Sequence, residues 1–218
     1  MSAIATYEES NSIADLLEEL GGVSLDRIVR RPAPGTATED DVIQLMEAPR
    51  KRLCELIDGT LVEKAMGWTE AVLAGYVVGT MGEFVRTRNL GFVAGADGMI
   101  RLWPGRVRIP DVAYVSWDRL PGRRRPTKPI PEIAPEIAVE ILSASNTKKE
   151  MEKKREDYFR TGVKLVWEID PDERSITVYT SLDDSTVLTG EQLLDGSDVL
   201  PGYTLSLPGL FAELDRHG

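Results

Sequence analysis

The spacing of apolar residues changes several times along this chain, and each change marks an element. Positions 13–20 recur at helical spacing and run into the connector RRPAPGT, so residues 1–36 read as an N-terminal helical extension and linker. Thr38 is placed to cap a second helix, with Glu39, Asp40 and Asp41 in its first turn and Val42, Leu45 and Met46 as its apolar stripe. The period then becomes that of strands. Segments 52–57 and 60–64 flank Asp58-Gly59, a strong hairpin signal. Val72, Leu73, Tyr76, Val77, Met81, Phe84 and Val85 return to helical spacing over 70–88, and Asn89-Leu90-Gly91 ends that helix.

Strands are expected at 91–94, 99–102 and 107–116, followed by an aperiodic loop rich in proline and arginine over 119–135. The segment EIAVEIL (136–142) is apolar at nearly every interior position and reads as a central strand. A polar helix from Asn146 or Thr147 to about Arg160 ends at Gly162. The strand KLVWEI (164–169), the turn Asp170-Pro171-Asp172, a returning strand at 175–180, and a last strand and short helix complete the chain. This order predicts an α/β (α+β) domain over 37–218, a mixed sheet flanked by helices.

Two carboxylates interrupt this apolar pattern. Glu140, between Val139 and Ile141 on the expected central strand, should lie out of bulk water, where an unpaired carboxylate costs several kcal/mol or takes up a proton. It needs a lysine, an arginine or a metal ion. Asp111 follows Pro110, which forces Ile109 into an extended conformation, so Asp111 stands near the start of the strand VAYV. Two carboxylates on neighbouring strands repel unless a cation lies between them, and a hard divalent ion suits oxygen ligands. An amine is at hand on the following helix. With Met151 and Tyr158 as its buried stripe, Lys154 flanks the stripe one turn before Tyr158, while Lys148 and Arg155 are its rivals.

Composition narrows the chemistry. Cys54 is the only cysteine and His217 the only histidine, which argues against internal disulfides, thiolate zinc sites, histidine bases and Ser-His-Asp triads. Metal chemistry would rest on carboxylates, favouring Mg²⁺, Mn²⁺ or Ca²⁺. No apolar run is long enough to span a membrane and the acidic N-terminus lacks a basic signal region, so a cytoplasmic protein with no membrane partner is expected. The net charge of -10 argues against nucleic acid. Yet segment 101–128 holds eight basic residues against Asp111 and Asp118, either a solvated loop or a phosphate-tracking one.

The segments CELIDGTLVE, RIPDVAYVS, PEIAVEILSASN, EKKREDYFRTGV and LVWEIDP, in this order, resemble the Uma-type putative restriction endonuclease family of bacteria, in the PD-(D/E)XK nuclease superfamily. The resemblance covers about residues 37–213 and implies a restriction-endonuclease-like core hydrolysing nucleic-acid phosphodiester bonds with Mg²⁺ (or Mn²⁺). It matches Asp111 to the aspartate of the Pro-Asp motif and Glu140 to the acid of the next strand. The usual strand lysine falls at Leu142, and the family's displaced lysine falls at Lys154. Glu55 matches an acidic position of the first strand and would join Asp111 and Glu140 as a metal ligand. Where relatives carry a histidine, this chain has Trp68-Thr69-Glu70, which leaves the role of Glu70 open.

The resemblance thus implies a nuclease on nucleic acid, in first place DNA, working as a homodimer that cuts each strand once. The alternatives are an inactive nuclease-like module that binds nucleic acid or protein, and an unrelated structural oligomer.

Overall fold

The computed structural model describes residues 12–217, so the first eleven residues of the expected extension lie outside the described residues. Its elements follow the apolar pattern closely. Helix α1 (Ile13–Glu19) starts from a Ser12 cap and α2 (Glu39–Glu47) from Thr38, each with a reciprocal capping box closed by an aspartate three residues on. Between them, Leu20, Val23 and Ile28 pack on Ile57 and Val62, so the described part of the extension lies against the hairpin rather than apart from it. That hairpin is β1 (Cys54–Ile57) and β2 (Thr60–Glu63). Asp58 (φ 46°) and Gly59 (φ 78°) are both left-handed, as a tight two-residue turn requires.

The 20-residue helix α3 (Trp68–Thr87) buries Leu73, Val77, Met81 and Val85 along one face. The strands β3 (Gly91–Ala94), β4 (Ile100–Trp103), β5 (Arg106–Arg108), β6 (Val112–Ser116) and β7 (Ile137–Ile141) follow. Then come α4 (Lys148–Arg160), β8 (Leu165–Asp170), β9 (Ser175–Tyr179), β10 (Ser185–Thr189), β11 (Leu193–Asp195), β12 (Thr204–Ser206) and α5 (Leu207–Phe211).

The strands form a six-stranded sheet ordered β10-β9-β8-β7-β6-β3, a four-stranded sheet β2-β1-β5-β4 and a small β11-β12 ribbon. In the larger sheet only β7 and β8 run parallel, joined through α4. The mixed α/β architecture expected from element order is present, divided over more than one sheet.

The division arises at a place the periodicity does not mark. Segment 107–116, expected as one strand, is two: β5 belongs to the smaller sheet and β6 to the larger, with Ile109-Pro110-Asp111 crossing between them. Pro110 has no N–H to continue a ladder, which permits the break. Strand β7 is interior and wholly buried. Its odd positions, Ile137, Val139 and Ile141, pack into the main core with α3. Ala138 faces the opposite way, toward Tyr158 of α4, and Glu140 shares that face by strand alternation.

Candidate active site

The chain crossing between the sheets builds the site. Asp111 donates its backbone N–H to Val139 O (2.9 Å), and its Oδ2 accepts the Ile141 N–H at 2.7 Å, so the side chain itself continues the ladder beside the proline. That places Asp111 against β7 next to Glu140, and both are buried, at 4% and 3% exposure. The two residues singled out by pattern are therefore neighbours. Lys154 comes to the same place from α4: its Nζ lies 2.8 Å from Glu140 Oε2 and 3.6 Å from Glu55 Oε1. Its two rivals go elsewhere. Arg155 pairs with Glu168 at 2.5 Å, and Lys148 lines a separate cavity of about 440 Å³.

The remaining partners were not read from the pattern. Lys64, just beyond β2, donates to Ile109 O (2.5 Å) and pairs with Asp111 Oδ1 at 2.8 Å. Arg108, 2% exposed, donates to Glu55 Oε2 (2.7 Å) and Asp157 Oδ2 (2.8 Å), while Ile109 N–H donates to Glu55 Oε1 (3.0 Å). The Tyr158 hydroxyl donates to Glu140 Oε1 at 2.5 Å. Two signals could have found these groups. Arg108 is a charge between Val107 and Ile109, which are 0% exposed, and Asp157 and Tyr158 lie three and four residues beyond Lys154 on one helical face.

Glu55, Asp111, Glu140 and Asp157 thus meet Lys64, Arg108 and Lys154 in one buried cluster, with Arg106 at its margin 3.6 Å from Asp157. Among the described residues, no three His, Cys, Asp or Glu side chains are gathered as a ready metal cage. Each carboxylate instead has a cationic partner.

The titrations reflect that pairing. Burial pushes the Glu140 carboxyl up, and the Asp111 charge adds to it; Lys154 opposes without overcoming them. Burial also pushes Glu55 up, but Lys154 and Arg108 outweigh it and hold this carboxyl at about 2. For Lys154, burial favours the neutral amine, yet Glu140 and Glu55 prevail and raise its pKa. Lys154 is therefore a fixed cation at neutral pH, not a base.

A pH dependence follows from the signs. Glu55 is depressed from 4.5, so its stabilisation is complete above that value and is lost as pH falls toward 2; Glu150, lowered by Arg27 against its burial, acts in the same direction. Glu140 is raised, so its contribution has the opposite sign, favouring the fold in acid and fading as pH rises through its folded value. The urea midpoint should fall as pH drops through this window, and Glu55→Gln should flatten the slope. An unchanged slope in the variant would dismiss the pairing.

The basic loop goes elsewhere. β6 runs away from Asp111 and β7 returns toward Glu140, so the loop leaves and rejoins this strand pair at its far end, where Arg123 lies near Ser116 and Glu136, while Ile130 to Glu132 cross to the smaller sheet. Arg119 is held there by Glu136 (3.0 Å) and Gly162 O (2.5 Å). Arg123, Arg124 and Arg125 are exposed at that far end.

The model of the Uma2 family, described as "Putative restriction endonuclease", matches residues 40–208. A crystal structure described as a putative nuclease belonging to DUF820, from Anabaena variabilis ATCC 29413, superposes with a TM-score of 0.69 at 23% identity, covering 81% of this chain and 98% of that one. At that identity the likeness is one of fold. No curated protein matches the chain.

Proposed function

The chain belongs to the Uma2 family of putative restriction endonucleases, and from that premise we propose that it is a metal-dependent endonuclease hydrolysing DNA phosphodiester bonds at the Asp111–Glu140–Lys154 cluster. The observation that carries this reading is the meeting of two buried carboxylates, Glu140 on β7 and Asp111 at the crossing between the sheets, each with a buried ammonium against it, Lys154 and Lys64.

The donor set fits Mg²⁺ or Mn²⁺ in kind. Asp111 and Glu140 are hard oxygen donors, near enough for Asp111 to raise the Glu140 pKa, and the Lys64 ammonium already stands against Asp111 as a cation. These two carboxylates would hold the ion, which supplies Lewis-acid polarisation of the phosphodiester. Glu55 would complete the shell only by releasing Arg108 or the Ile109 N–H, so in this reading it chiefly anchors Lys154 and Arg108. Lys154, kept protonated by its neighbours, presents fixed positive charge to the negative charge that grows on phosphate oxygens. Tyr158 and Lys154 together fix both oxygens of Glu140.

Plasmid nicking with Mg²⁺ or Mn²⁺ tests the proposal: cleavage abolished by a chelator is expected, and a folded parent that nicks with neither ion overturns it. Lys64 offers a test that does not depend on turnover. Its ammonium competes with added cations for Asp111, so Lys64→Met should tighten Mn²⁺ binding in calorimetry by about tenfold. Weaker binding in the variant would remove Asp111 from the ligand set. The inactive-module reading draws on the complete charge pairing of the cluster, and it predicts neither Mn²⁺ binding nor nicking.

A further inference from the structure

Three elements carry Lys64, Glu140 and Lys154, and one side chain outside the cluster ties all three together. Lys64 follows directly on β2, Glu140 lies on β7 and Lys154 on α4. Arg27, in the described part of the N-terminal extension, donates from Nε to Glu63 O (3.0 Å), one residue before Lys64. One terminal nitrogen donates to Ser145 O (3.4 Å) in the loop that leaves β7, and the two together grip Glu150 at 3.0 and 2.7 Å. Glu150 stands one turn before Lys154, and both are buried.

An ion pair for its own sake would need only the carboxylate. Arg27 is 9% exposed, and its planar fork is divided among one carboxylate and two backbone carbonyls on three elements, a set of acceptors that suits a guanidinium and not an ammonium. The chain around it is seated on α4 by separate contacts. Gly21 (φ 80°) approaches so closely that a Cβ there would stand 2.7 Å from Glu150 Cα, and Thr147 Oγ1 donates to Gly21 O at 2.5 Å. Arg27 precedes residues 40–208, the stretch that the family model matches.

We propose that Arg27 is a positioning residue. It fixes the ends of β2, β7 and α4 against one another, and so sets where the Lys64 and Lys154 ammoniums stand against Asp111 and Glu140. It acts only through these elements, since all three of its nitrogens already donate within the protein. That a rate depends on Arg27 rests on the nuclease reading; that the two ammoniums depend on it does not.

The test compares the parent with Arg27→Lys and with the double variant Arg27→Gln/Glu150→Gln, which leaves no unpaired charge buried and so protects the fold. Each is treated briefly with acetic anhydride, well below its melting temperature, and the modified lysines are located by mass spectrometry. In the parent, Lys64 and Lys154, with side chains 4% and 5% exposed, should be protected, and the exposed Lys148 should react. In the double variant Lys64 and Lys154 should react about tenfold faster relative to Lys148, with Arg27→Lys between the two. Protection equal to the parent's in the double variant overturns the proposal. In plasmid nicking, the double variant should lose about 10²-fold in kcat with KM unchanged, because the residue orients the site and does not bind substrate. A raised KM at parental kcat would make Arg27 a substrate contact and overturns it equally. A parent that neither nicks nor binds Mn²⁺, with the labelling pattern as expected, would count against the nuclease reading alone.

Discussion

Glu140→Gln is expected to lower the nicking rate about 10²- to 10⁴-fold while moving the unfolding free energy by only about 1–2 kcal/mol. The reason lies in what the carboxylate does while buried. Burial and the Asp111 charge raise its pKa, so ionised Glu140 is held in the fold at an electrostatic cost that the isosteric amide does not carry. The amide oxygen still accepts from Lys154, its nitrogen can donate to the Tyr158 hydroxyl, and Lys154 keeps Glu55 at 3.6 Å. What the amide cannot do is carry the negative charge that a divalent ion and Lys154 both require. Nicking rates and urea midpoints measured on the same preparation check this. A parental rate would take Glu140 out of the chemistry, and a collapse of the fold would show that its charge is structural.

Arg108→Ala should do the reverse, costing about 3–5 kcal/mol of stability, or roughly 6–20 °C in melting temperature. Arg108 is the common partner of Glu55 and Asp157, and its removal leaves both carboxylates without the guanidinium that donates hydrogen bonds to them. The protein would have to protonate Glu55 far above its folded value of about 2, or admit water between the sheets. Thermal unfolding followed by circular dichroism decides it, and a shift under about 2 °C would mean that Lys154 and Arg106 suffice to hold those charges. Glu140→Gln and Arg108→Ala thus separate a charge proposed for chemistry from one that maintains the cluster.

Much of this cluster was legible from local pattern. A carboxylate in EIAVEIL and another after Pro110 each contradict an otherwise apolar strand, and a charge in such a place must find a partner wherever the chain goes. Lys154 could be placed by helical spacing from Met151 and Tyr158. Lys64 could not, because nothing local distinguishes a charge at a strand end that faces solvent from one that faces another sheet. The density of arginine over 119–125 is likewise a property of sequence, whereas the end of the strand pair that it occupies depends on strand direction.

What the sequence by itself determined is that Asp111 and Glu140 had to be compensated, and that Lys154, Lys148 and Arg155 on the next helix were at hand to do so, since alternation and helical period are set by backbone geometry alone. Only the tertiary structure decided how. The break at Pro110 sends β5 and β6 into different sheets and brings Glu55, Arg108 and Lys64 from one sheet against Asp111 and Glu140 of the other. Compensation by several cations at once is a long-range matter, in which residues as far apart as 55 and 154 meet because burial leaves each charge no better partner.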